Sequence, residues 1–487
     1  MNTVVKEFPD GLPVGDTWEP VPARDEVCFP YDGSLVAHAP VGDAGLARRA
    51  VDEAVGVRDV VGRLPSHVRR SALLATYQAI VSRRDDFVEL LVLETGKPLV
   101  DCRVEVERTL LTVHTAAEEV ARLHGETVPL DLLPNGEGLL GFWVRKPIGI
   151  VVGIAGFNYP LLLAAHKIAP AVAAGCPVIA KPAPQTPLTT IWLVHLVREA
   201  LAAAGGPRGA VQLVTGGPDV GTALTTDPRI GAVSFTGSAL VGHQIARDAA
   251  PTKVLLELGS NAALVVAPDA DLDAAADAVV RGGYYASGQA CISVQRVVVV
   301  DSVRDEFMSR LAERMRHVVV GDPRDPSTQV SALIDRRSTE RVLAWLQQAV
   351  QGGATVFFGG GTSDGVLQPT VLLDVPTGLS VWDEEVFGPV VAVRSVPDID
   401  SAFDVVNDSR YGLHASVFTA ALETAFAAID RLDVGGVVVN EVPGFRSDVM
   451  PYGGVKDSGA GREGPRFAIE ELTVTRMAVI RPTTKKD

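Results

Sequence analysis

Cys291, Glu257 and Asn158 carry three functional groups that together allow covalent chemistry at a carbonyl carbon. The thiolate form of a cysteine attacks a carbonyl carbon, and a side-chain amide can hydrogen-bond the oxyanion that forms. A carboxylate can then remove a proton from water and so start hydrolysis of a thioester. The sequence therefore predicts an acyl-enzyme intermediate on Cys291, with Asn158 and Glu257 assisting its formation and breakdown.

The segment around Cys291 sets this residue apart from the other cysteines. Small residues precede it in Gly283-Tyr-Tyr-Ala-Ser-Gly-Gln-Ala-Cys291, which favours an accessible thiol on a tight loop. Cys28, Cys102 and Cys176 have no comparable setting and are interpreted as small apolar side chains. Because the chain has neither a Cys-x-x-Cys pair nor a His-x-x-x-His spacing, we expect no metal site and no disulfide framework.

Glu257 follows three apolar residues in Val254-Leu-Leu-Glu-Leu-Gly259. Burial among apolar neighbours raises the pKa of a carboxyl group, which suits a general base that works near neutral pH. The alternative interpretation of Glu257 is a solvated carboxylate at the end of a strand.

Composition places the chain among globular proteins. Its 487 residues are 47% apolar and 21% charged, which is ordinary for a soluble protein of roughly three domains. A formal charge of −15 argues against nucleic acid and anionic membranes as partners. The first residues contain no apolar signal core, and no apolar stretch of about 18 residues follows, so we expect a cytoplasmic protein.

Apolar periodicity predicts an α/β protein. Residues 44–55, 68–81 and 104–123 repeat apolar side chains at helical spacing. From residue 148 short apolar segments alternate with helical ones, first to about residue 259 and again over 262–440, which predicts parallel sheets with right-handed crossovers. Residues 125–147 suggest a two-stranded arm, and 472–480 a lone strand that needs a partner sheet.

Residues 233–242 predict a nucleotide site, because a strand, a glycine turn and the start of a helix follow one another. Free amides and the positive end of a helix favour a phosphate, and glycine lets the backbone approach it. Gly237 and Gly242 have P-loop spacing, but His243 follows instead of lysine, which disfavours an NTPase. The match of 459–464 to a dinucleotide fingerprint lacks a preceding strand and is set aside.

At these motifs the chain resembles the aldehyde dehydrogenase superfamily, from about residue 20 to 480. The resemblance implies a Rossmann-like cofactor domain, an α/β catalytic domain and a small β oligomerisation arm in a homodimer or homotetramer. The domains it implies are an NAD(P)-binding domain (1–124 and 148–259), a catalytic domain (260–441), the arm (125–147 and 471–487), and a substrate-tunnel and linking segment (442–470).

The resemblance also implies NAD or NADP as cofactor. It assigns the cofactor contacts to Lys181, Pro184, Gly237, Ser238, Gly242, Leu258, Glu385 and Phe387. Many NAD-preferring members have glutamate where this chain has Pro184, and that carboxylate repels a 2′-phosphate. We therefore expect NADP to be tolerated, with the preference left open.

In the implied mechanism the Asn158 amide and the Cys291 backbone N–H hold the oxyanion, hydride leaves to the nicotinamide, and Glu257 activates water. Members that pass the acyl group to coenzyme A usually lack this glutamate, so its presence favours hydrolysis to a free acid. Ser260 replaces the commoner second glycine, a change also found in relatives that act on small polar aldehydes.

Arg108, Tyr159 and Arg446 are predicted to bind the substrate, because the resemblance places them along the substrate tunnel. A bidentate guanidinium suits a phosphonate, phosphate or carboxylate, so we expect a small anionic aldehyde. Some relatives that use phosphorylated or phosphonate substrates have arginine where this chain has Ala290, which makes a phosphorylated substrate less favoured for this chain. The alternative for either arginine is a structural salt bridge, since Arg108 has Glu105 and Glu107 close in sequence. His166 is interpreted as a core histidine.

Three other functions remain open at this point. The enzyme could oxidise a small neutral aldehyde such as lactaldehyde. Cys291 with a general base could instead cleave esters without a cofactor. A non-catalytic scaffold would be expected if the nucleophile or the base were missing, and both are present.

Overall fold

The computed structural model describes residues 8–482. The outermost parts of two predicted domains, 1–7 and 483–487, and most of the N-terminal segment examined for a signal core lie outside the described residues. Most strands belong to three sheets, of six, seven and three strands. The division into domains stays a prediction.

Four helices precede the first large sheet: Ala44–Gly62, Ser66–Val81, Arg84–Thr95 and Leu99–Glu119. The periodic pattern predicts three of them, with ends that differ by up to seven residues. It misses Arg84–Thr95, in which five of six consecutive residues from Phe87 to Val92 are buried, so no polar face alternates with an apolar one. Gly96 ends this helix in the left-handed conformation, with φ 70°.

The six-stranded sheet contributes residues to the cavity that contains the predicted site. Its strands are Gly459–Ala460, Lys253–Glu257, Ile230–Thr236, Ile150–Ile154, Val178–Lys181 and Val211–Leu213, in spatial order. All neighbours are parallel except the first pair. The valine- and isoleucine-rich strands are buried on both faces, as parallel strands covered by helices are. The associated helices are Pro160–Ala174, Leu188–Ala203, Pro218–Thr225 and Ala239–Asp248.

The seven-stranded sheet forms the second α/β unit. Its spatial order is Thr355–Phe358, Thr370–Leu373, Val390–Val396, Arg296–Val300, Ala263–Val266, His414–Phe418 and Gly436–Val439, and only the first pair is antiparallel. Separate apolar clusters cover its faces. The associated helices are Leu272–Tyr284, Arg304–Met315, Arg336–Gln351, Ser380–Asp383, Ile399–Asn407 and Leu422–Arg431.

The three-stranded sheet is the arm. Thr473–Ile480 pairs antiparallel with Leu140–Pro147, which also pairs with Glu126–Val128. The partner that the last strand needs is therefore the arm of the same chain. The remaining strands are Leu12–Val14, Thr17–Glu19, Arg24–Cys28, Leu35–Pro40, Thr362–Ser363, Val366–Leu367, Tyr411–Gly412 and Val455–Lys456, and the remaining α-helix is Pro465–Glu471.

Three neighbouring strands of the six-stranded sheet bring the predicted site together. Lys253–Glu257 ends on Glu257, Ile230–Thr236 ends just before Gly237, and Ile150–Ile154 ends four residues before Asn158. Ligands of open α/β sheets bind at this carboxyl edge. Within residues 8–482, no helix has the length and apolar character to cross a membrane, and no cluster of His, Cys, Asp or Glu is placed to hold a metal ion.

Candidate active site

A cavity of about 850 Å³ opens beside this edge. The three predicted catalytic residues line it. So do most of the other predicted contacts: Gly237, Ser238, Leu258, Glu385 and Phe387 for the cofactor, and Arg108, Tyr159 and Arg446 for the substrate. Lys181, Pro184 and Gly242 lie outside the lining.

Cys291 follows a turn whose backbone is left-handed at three successive residues. Ala286, Ser287 and Gly288 have φ of 48°, 56° and 73°. Such a conformation costs a non-glycine residue about 1–3 kcal/mol, so it persists only where neighbouring contacts impose it. A Cβ at position 288 would lie 2.2 Å from the carbonyl oxygen of Gly388, which explains the glycine there.

Hydrogen bonds with distant segments impose this turn. The Ala286 N–H donates to the Asp101 carboxyl at 2.8 Å. The Ser287 hydroxyl donates to the Ser331 carbonyl and accepts from the Ser331 N–H. The Ile334 N–H donates to the Gln289 side chain at 2.9 Å. The nucleophile is thus positioned by segments that lie at least 40 residues away in sequence.

Asn158 lies between the turn and the cavity. Its Nδ2 donates to the carbonyl oxygen of Gln289 at 2.8 Å, two residues before the nucleophile. An amide nitrogen carries two N–H donors. The first fixes the side chain against the turn. That the second binds an oxyanion stays a prediction.

The Cys291 thiol lies 3.2 Å from the hydroxyl oxygen of Tyr452. Burial raises the pKa of the thiol to about 12, although the hydrogen bond with Tyr452 favours the thiolate. Negative charge on Glu385 or Glu257 would raise this pKa further. The thiol is therefore mostly protonated near neutral pH, and the enzyme needs groups that stabilise the thiolate.

Glu257 is 8% exposed. Within the part of the chain that the structure describes, its Oε2 has no hydrogen-bond partner. Burial, followed by the charge of Glu463, raises the pKa of Glu257 well above its ordinary value. A carboxylate that is desolvated and unpaired in this way is a stronger base than a solvated one, and its free oxygen can accept a proton from water.

A network of buried charged groups adjoins the predicted site. His166 places one ring nitrogen 3.0 Å from Glu463 and the other 3.2 Å from Asp448. Lys167 donates to Glu463 at 3.2 Å and to the Thr236 hydroxyl at 2.7 Å. Burial disfavours ionisation of Glu463, but Lys167 and His166 nevertheless hold its pKa well below the ordinary value. His166 is buried, as predicted, and it also lines the cavity.

Arg108 and Arg446 both bind carboxylates of this network. Arg108 donates from Nε and Nη2 to the two oxygens of Asp448, each at 2.9 Å, and its side chain is 23% exposed. Arg446 donates to Glu463 at 3.1 Å, its Nε lies 3.3 Å from Asp448, and it is 5% exposed. Both arginines therefore make the salt bridges that the alternative interpretation expects, although the partner of Arg108 is Asp448, 340 residues away, and not a neighbouring glutamate. Neither pairing tests whether these arginines also bind substrate.

Tyr159 stands at the start of the helix Pro160–Ala174 and faces the cavity. The Lys97 ammonium lies 3.7 Å from the centre of its ring and forms a buried ion pair with Glu105. Glu105 in turn accepts hydrogen bonds from the Leu161 and Leu162 N–H groups. Tyr159 is thus firmly positioned, and its role toward substrate stays a prediction.

The predicted cofactor end of the cavity contains a helix N-terminus of the kind that binds phosphate groups. Ser238 caps the helix Ala239–Asp248 by accepting from the Val241 N–H. A Cβ on Gly242 would lie 2.3 Å from the Leu258 side chain, so only glycine lets Leu258 pack against the helix. Gly237 and Ser238 leave this N-terminus open to the cavity, which fits a pyrophosphate.

Glu385 and Phe387, to which the resemblance assigns contacts with the nicotinamide end of the cofactor, both line the cavity. The Ser260 N–H donates to Glu385 at 3.0 Å, and burial raises the pKa of this carboxyl group to about 7. Phe387 has φ 49° and meets Phe157 edge to face at 5.6 Å. A polar group beside an aromatic wall fits a ribose and its nicotinamide ring.

Lys181 is the last residue of the strand Val178–Lys181, and Pro184 lies on the loop that follows it. Lys181 is buried, which lowers its pKa to about 8 although Asp219 opposes the shift. Pro184 is exposed. Their contacts with the adenine ribose stay predictions.

Four residues near the nucleophile were not anticipated: Asp101, Asp448, Tyr452 and Glu463. Asp448, Tyr452 and Glu463 all lie within the predicted tunnel and linking segment 442–470, but the sequence does not indicate their partners. Glu463 belongs to the glycine-rich string 459–464 that was set aside as a nucleotide fingerprint. Asp101 had no sequence signal, because its partner Ala286 is 185 residues away.

Known proteins resemble this chain over nearly its whole length. The chain is 39% identical over 480 residues to 3-sulfolactaldehyde dehydrogenase from Priestia aryabhattai, covering 98% of this chain and 99% of the relative. It is 34% identical over 456 residues to lactaldehyde dehydrogenase from Methanococcus aeolicus, covering 93% and 97%.

A solved structure shows the same fold. The crystal structure of glyceraldehyde-3-phosphate dehydrogenase GapN from Methanocaldococcus jannaschii, complexed with NADP, matches with a TM-score of 0.91 and 33% identity, covering 95% of this chain and all of that one. The family model for aldehyde dehydrogenases matches residues 19–478. These matches confirm the predicted α/β fold and the NAD(P) cofactor, and this chain belongs to the aldehyde dehydrogenase family.

Proposed function

We propose that this NAD(P)-dependent enzyme oxidises a small anionic aldehyde to the free carboxylic acid. The observation that carries the proposal is that Cys291, Asn158 and Glu257 line the same cavity as Glu385 and Phe387. A nucleophile, an oxyanion donor and a base therefore share one space with the groups that fit a nicotinamide. This arrangement supports oxidation followed by hydrolysis.

In the proposed reaction the Cys291 thiolate forms a C–S bond to the aldehyde carbon. The second N–H of Asn158 and the Cys291 backbone N–H stabilise the oxyanion, at a few kcal/mol per donor. When NAD(P)+ is bound, it supplies the hydride acceptor that converts this adduct into a thioester. Glu257 then takes a proton from water, hydroxide adds to the thioester carbon, and the C–S bond breaks to release the acid and the thiolate.

Arg108 supports an anionic substrate. Its Nε and Nη2 are engaged by Asp448, but the guanidinium has further N–H donors and the side chain is partly exposed in the cavity. Those donors could bind a sulfonate, phosphonate, phosphate or carboxylate. The relative named for 3-sulfolactaldehyde and the structural match named for glyceraldehyde-3-phosphate are consistent with such a head group.

A neutral substrate is the second candidate, and a specific observation favours it. Asp448 and Glu463 already pair with Arg108 and Arg446, so the positive charge at this end is partly compensated. The relative named for lactaldehyde points the same way.

Formation of reduced cofactor with a panel of short aldehydes separates these candidates. The panel holds sulfonate, phosphonate, phosphate, carboxylate and neutral members, each with NAD and with NADP. An anionic class whose kcat/KM is at least about tenfold higher supports the proposal, since that factor equals about 1.4 kcal/mol of differential binding. A preference for neutral members contradicts it. Cofactor-independent ester cleavage that exceeds aldehyde oxidation would favour the esterase, and cofactor binding with no turnover across the panel would favour the scaffold.

Arg108→Leu tests the head-group contact directly. We expect KM to rise about tenfold or more for the preferred anionic aldehyde and to change little for propanal, because only the former needs the guanidinium. Arg103→Leu is the matched control, since Arg103 lies exposed on the same helix and outside the cavity lining. Equal effects of Arg108→Leu on both aldehydes would return this arginine to a structural role.

We also propose a homodimer or homotetramer that forms through the arm. Thr473–Ile480 lies at one edge of its sheet and exposes Val474, Met477, Val479 and Ile480. Exposed strand edges of this kind need cover. Light scattering after size exclusion should give a multiple of the chain mass, and Val479→Glu should shift it toward the monomer. A monomeric wild-type protein would contradict the proposal.

A further inference from the structure

The partly buried thiol of Cys291 needs stabilisation by its neighbours to ionise, and few groups near it favour the thiolate. The charged or titratable side chains that face it are Glu257, Glu385, Tyr285, Arg446 and Tyr452. Ionised Glu257 and Glu385 raise the thiol pKa, whereas Arg446 and the hydrogen bond with Tyr452 lower it.

Tyr452 forms a hydrogen bond with the Cys291 sulfur. Its hydroxyl oxygen lies 3.2 Å from the Cys291 Sγ, and the side chain is almost fully buried. Burial raises the pKa of this phenol well above its ordinary value. The phenol therefore stays protonated over the working pH range and remains able to donate its hydrogen.

Arg446 and His414 hold the Tyr452 ring. The Arg446 guanidinium carbon lies 3.8 Å from the ring centre, and Glu463 fixes the guanidinium from behind. His414 lies 5.0 Å away, its Nδ1 is 2.9 Å from the Pro443 carbonyl, and burial lowers its pKa. A cation over an aromatic face attracts its π electrons, which strengthens the phenol as a hydrogen-bond donor.

We propose that Tyr452 is a catalytic residue whose hydroxyl donates to the Cys291 sulfur and stabilises the thiolate, and that Arg446 is a positioning residue that acts through the Tyr452 ring. The proposal rests on the proposed function in one respect, that Cys291 is the nucleophile. No proton leaves Tyr452. Once carbon bonds to sulfur the negative charge on sulfur is gone, so the hydroxyl is released when the adduct forms and captures the thiolate again after hydrolysis.

Alkylation of Cys291 by iodoacetamide over a pH series tests this in the intact chain. The peptide that contains Cys291 is followed by mass spectrometry, because Cys28 is exposed and also reacts. Tyr452→Phe should slow alkylation about tenfold or more at fixed pH below the thiol pKa and move the pH profile upward, since a hydrogen bond to a charged group is lost. Arg446→Lys keeps the charge but loses the planar stack, so we expect a smaller loss of about threefold.

Tyr284→Phe is the matched control. Tyr284 is a buried tyrosine whose hydroxyl donates to the Thr370 carbonyl at 3.0 Å, outside the cavity lining. Wild-type rates in Tyr452→Phe at every pH overturn the proposal, and so does an equal loss in Tyr284→Phe. If Tyr452→Phe does not fold, Arg446→Lys decides, because an unchanged profile there overturns the coupled arrangement.

The readout is independent of the substrate assignment. Iodoacetamide is small and uncharged, and alkylation requires neither aldehyde nor cofactor. A failure of the anionic-aldehyde proposal would appear in the aldehyde panel and leave the alkylation rates unaffected, so the two proposals fail separately.

Discussion

The aldehyde end and the cofactor end of the cavity are built by different means. The proposed aldehyde end, around Cys291, Arg108, Asp448, Arg446 and Glu463, is fixed by buried charges. The partners of Asp448 and Glu463 include residues 282 to 340 positions away in sequence. The cofactor end, around Gly237, Ser238, Gly242, Leu258 and Glu385, is fixed mainly by backbone shape and close packing. Charge removal should therefore damage the first end most, and added volume should damage the second.

Asp448→Ala should have the largest effect on stability. It leaves the Arg108 and Arg446 guanidiniums without this buried partner, and breaking a buried ion pair costs about 3–5 kcal/mol. Urea unfolding at neutral pH measures the change. Glu199→Ala, which breaks an exposed pair with Arg208, should cost at most about 1 kcal/mol, and equal costs for the two variants would contradict the contrast.

Gly242→Ala should damage the cofactor end through volume alone. The new methyl would lie 2.3 Å from Leu258 and force that side chain toward the cavity, at a cost of about 1–3 kcal/mol. We expect the Kd of NAD(P) to rise about tenfold by fluorescence titration. Gly56→Ala, in the helix Ala44–Gly62 with open space around the new methyl, should stabilise the protein by up to about 1 kcal/mol. Unchanged cofactor affinity in Gly242→Ala would show that the helix accommodates a methyl group at position 242, which contradicts the prediction.

Asp101 supports the turn that precedes Cys291, and substitutions of Asp101 can separate the effect of its charge from that of its hydrogen bond. Burial raises the pKa of Asp101 to about 6. The protonated form of Asp101 is therefore favoured in the folded protein, and the ionised form lowers the free energy of unfolding. The contribution of Asp101 to that free energy is fully present below the ordinary pKa of an aspartate and is lost as pH rises through about 6. Asp101→Asn keeps an acceptor for the Ala286 N–H and should be at least as stable as wild type at pH 8, with little loss of kcat.

Asp101→Ala removes the acceptor and should lower kcat about tenfold, because the left-handed turn before Cys291 relaxes. Steady-state rates and thermal unfolding at pH 5 and pH 8 check both variants. Equal kcat in the two variants would mean that the turn does not depend on this hydrogen bond.

Pro184→Glu should give the smallest effect. A carboxylate at this exposed position would repel a 2′-phosphate through solvent, by about 1 kcal/mol. We expect kcat/KM with NADP to fall about fivefold relative to NAD, with Gln185→Glu as the neighbouring control. If the ratio of kcat/KM with NADP to kcat/KM with NAD does not change, the adenine ribose does not bind near Pro184.

The same contrast explains what could be predicted from sequence. Gly237, Ser238 and Gly242 act through a local strand-turn-helix pattern, which is visible in ten consecutive residues. Cys291, Glu257 and Asn158 were found by type and motif, and the structure brings all three to one cavity. The hydrogen bonds and ion pairs of Asp101, Asp448 and Glu463 could not be predicted, because they join segments as much as 340 residues apart.

Secondary structure followed the same logic. The terminal strand was predicted, but its partner in the arm of the same chain follows only from the folded register. The helix Arg84–Thr95 was missed because it is buried around most of its circumference, which removes the periodic signal.

Pre-steady-state kinetics of Glu257→Gln, with aldehyde and cofactor in excess over enzyme, test the central claim most directly. Hydride transfer needs no base at Glu257, so the variant should release a burst of about one reduced cofactor per active site and then turn over about 10²–10⁴-fold more slowly. In the wild type the slow step should accelerate as pH rises through the raised pKa of Glu257, because only the carboxylate accepts a proton. The variant should lack that dependence. A burst that disappears with the steady-state rate, or steady-state turnover that stays at the wild-type level, would contradict hydrolysis of a Cys291 thioester by Glu257.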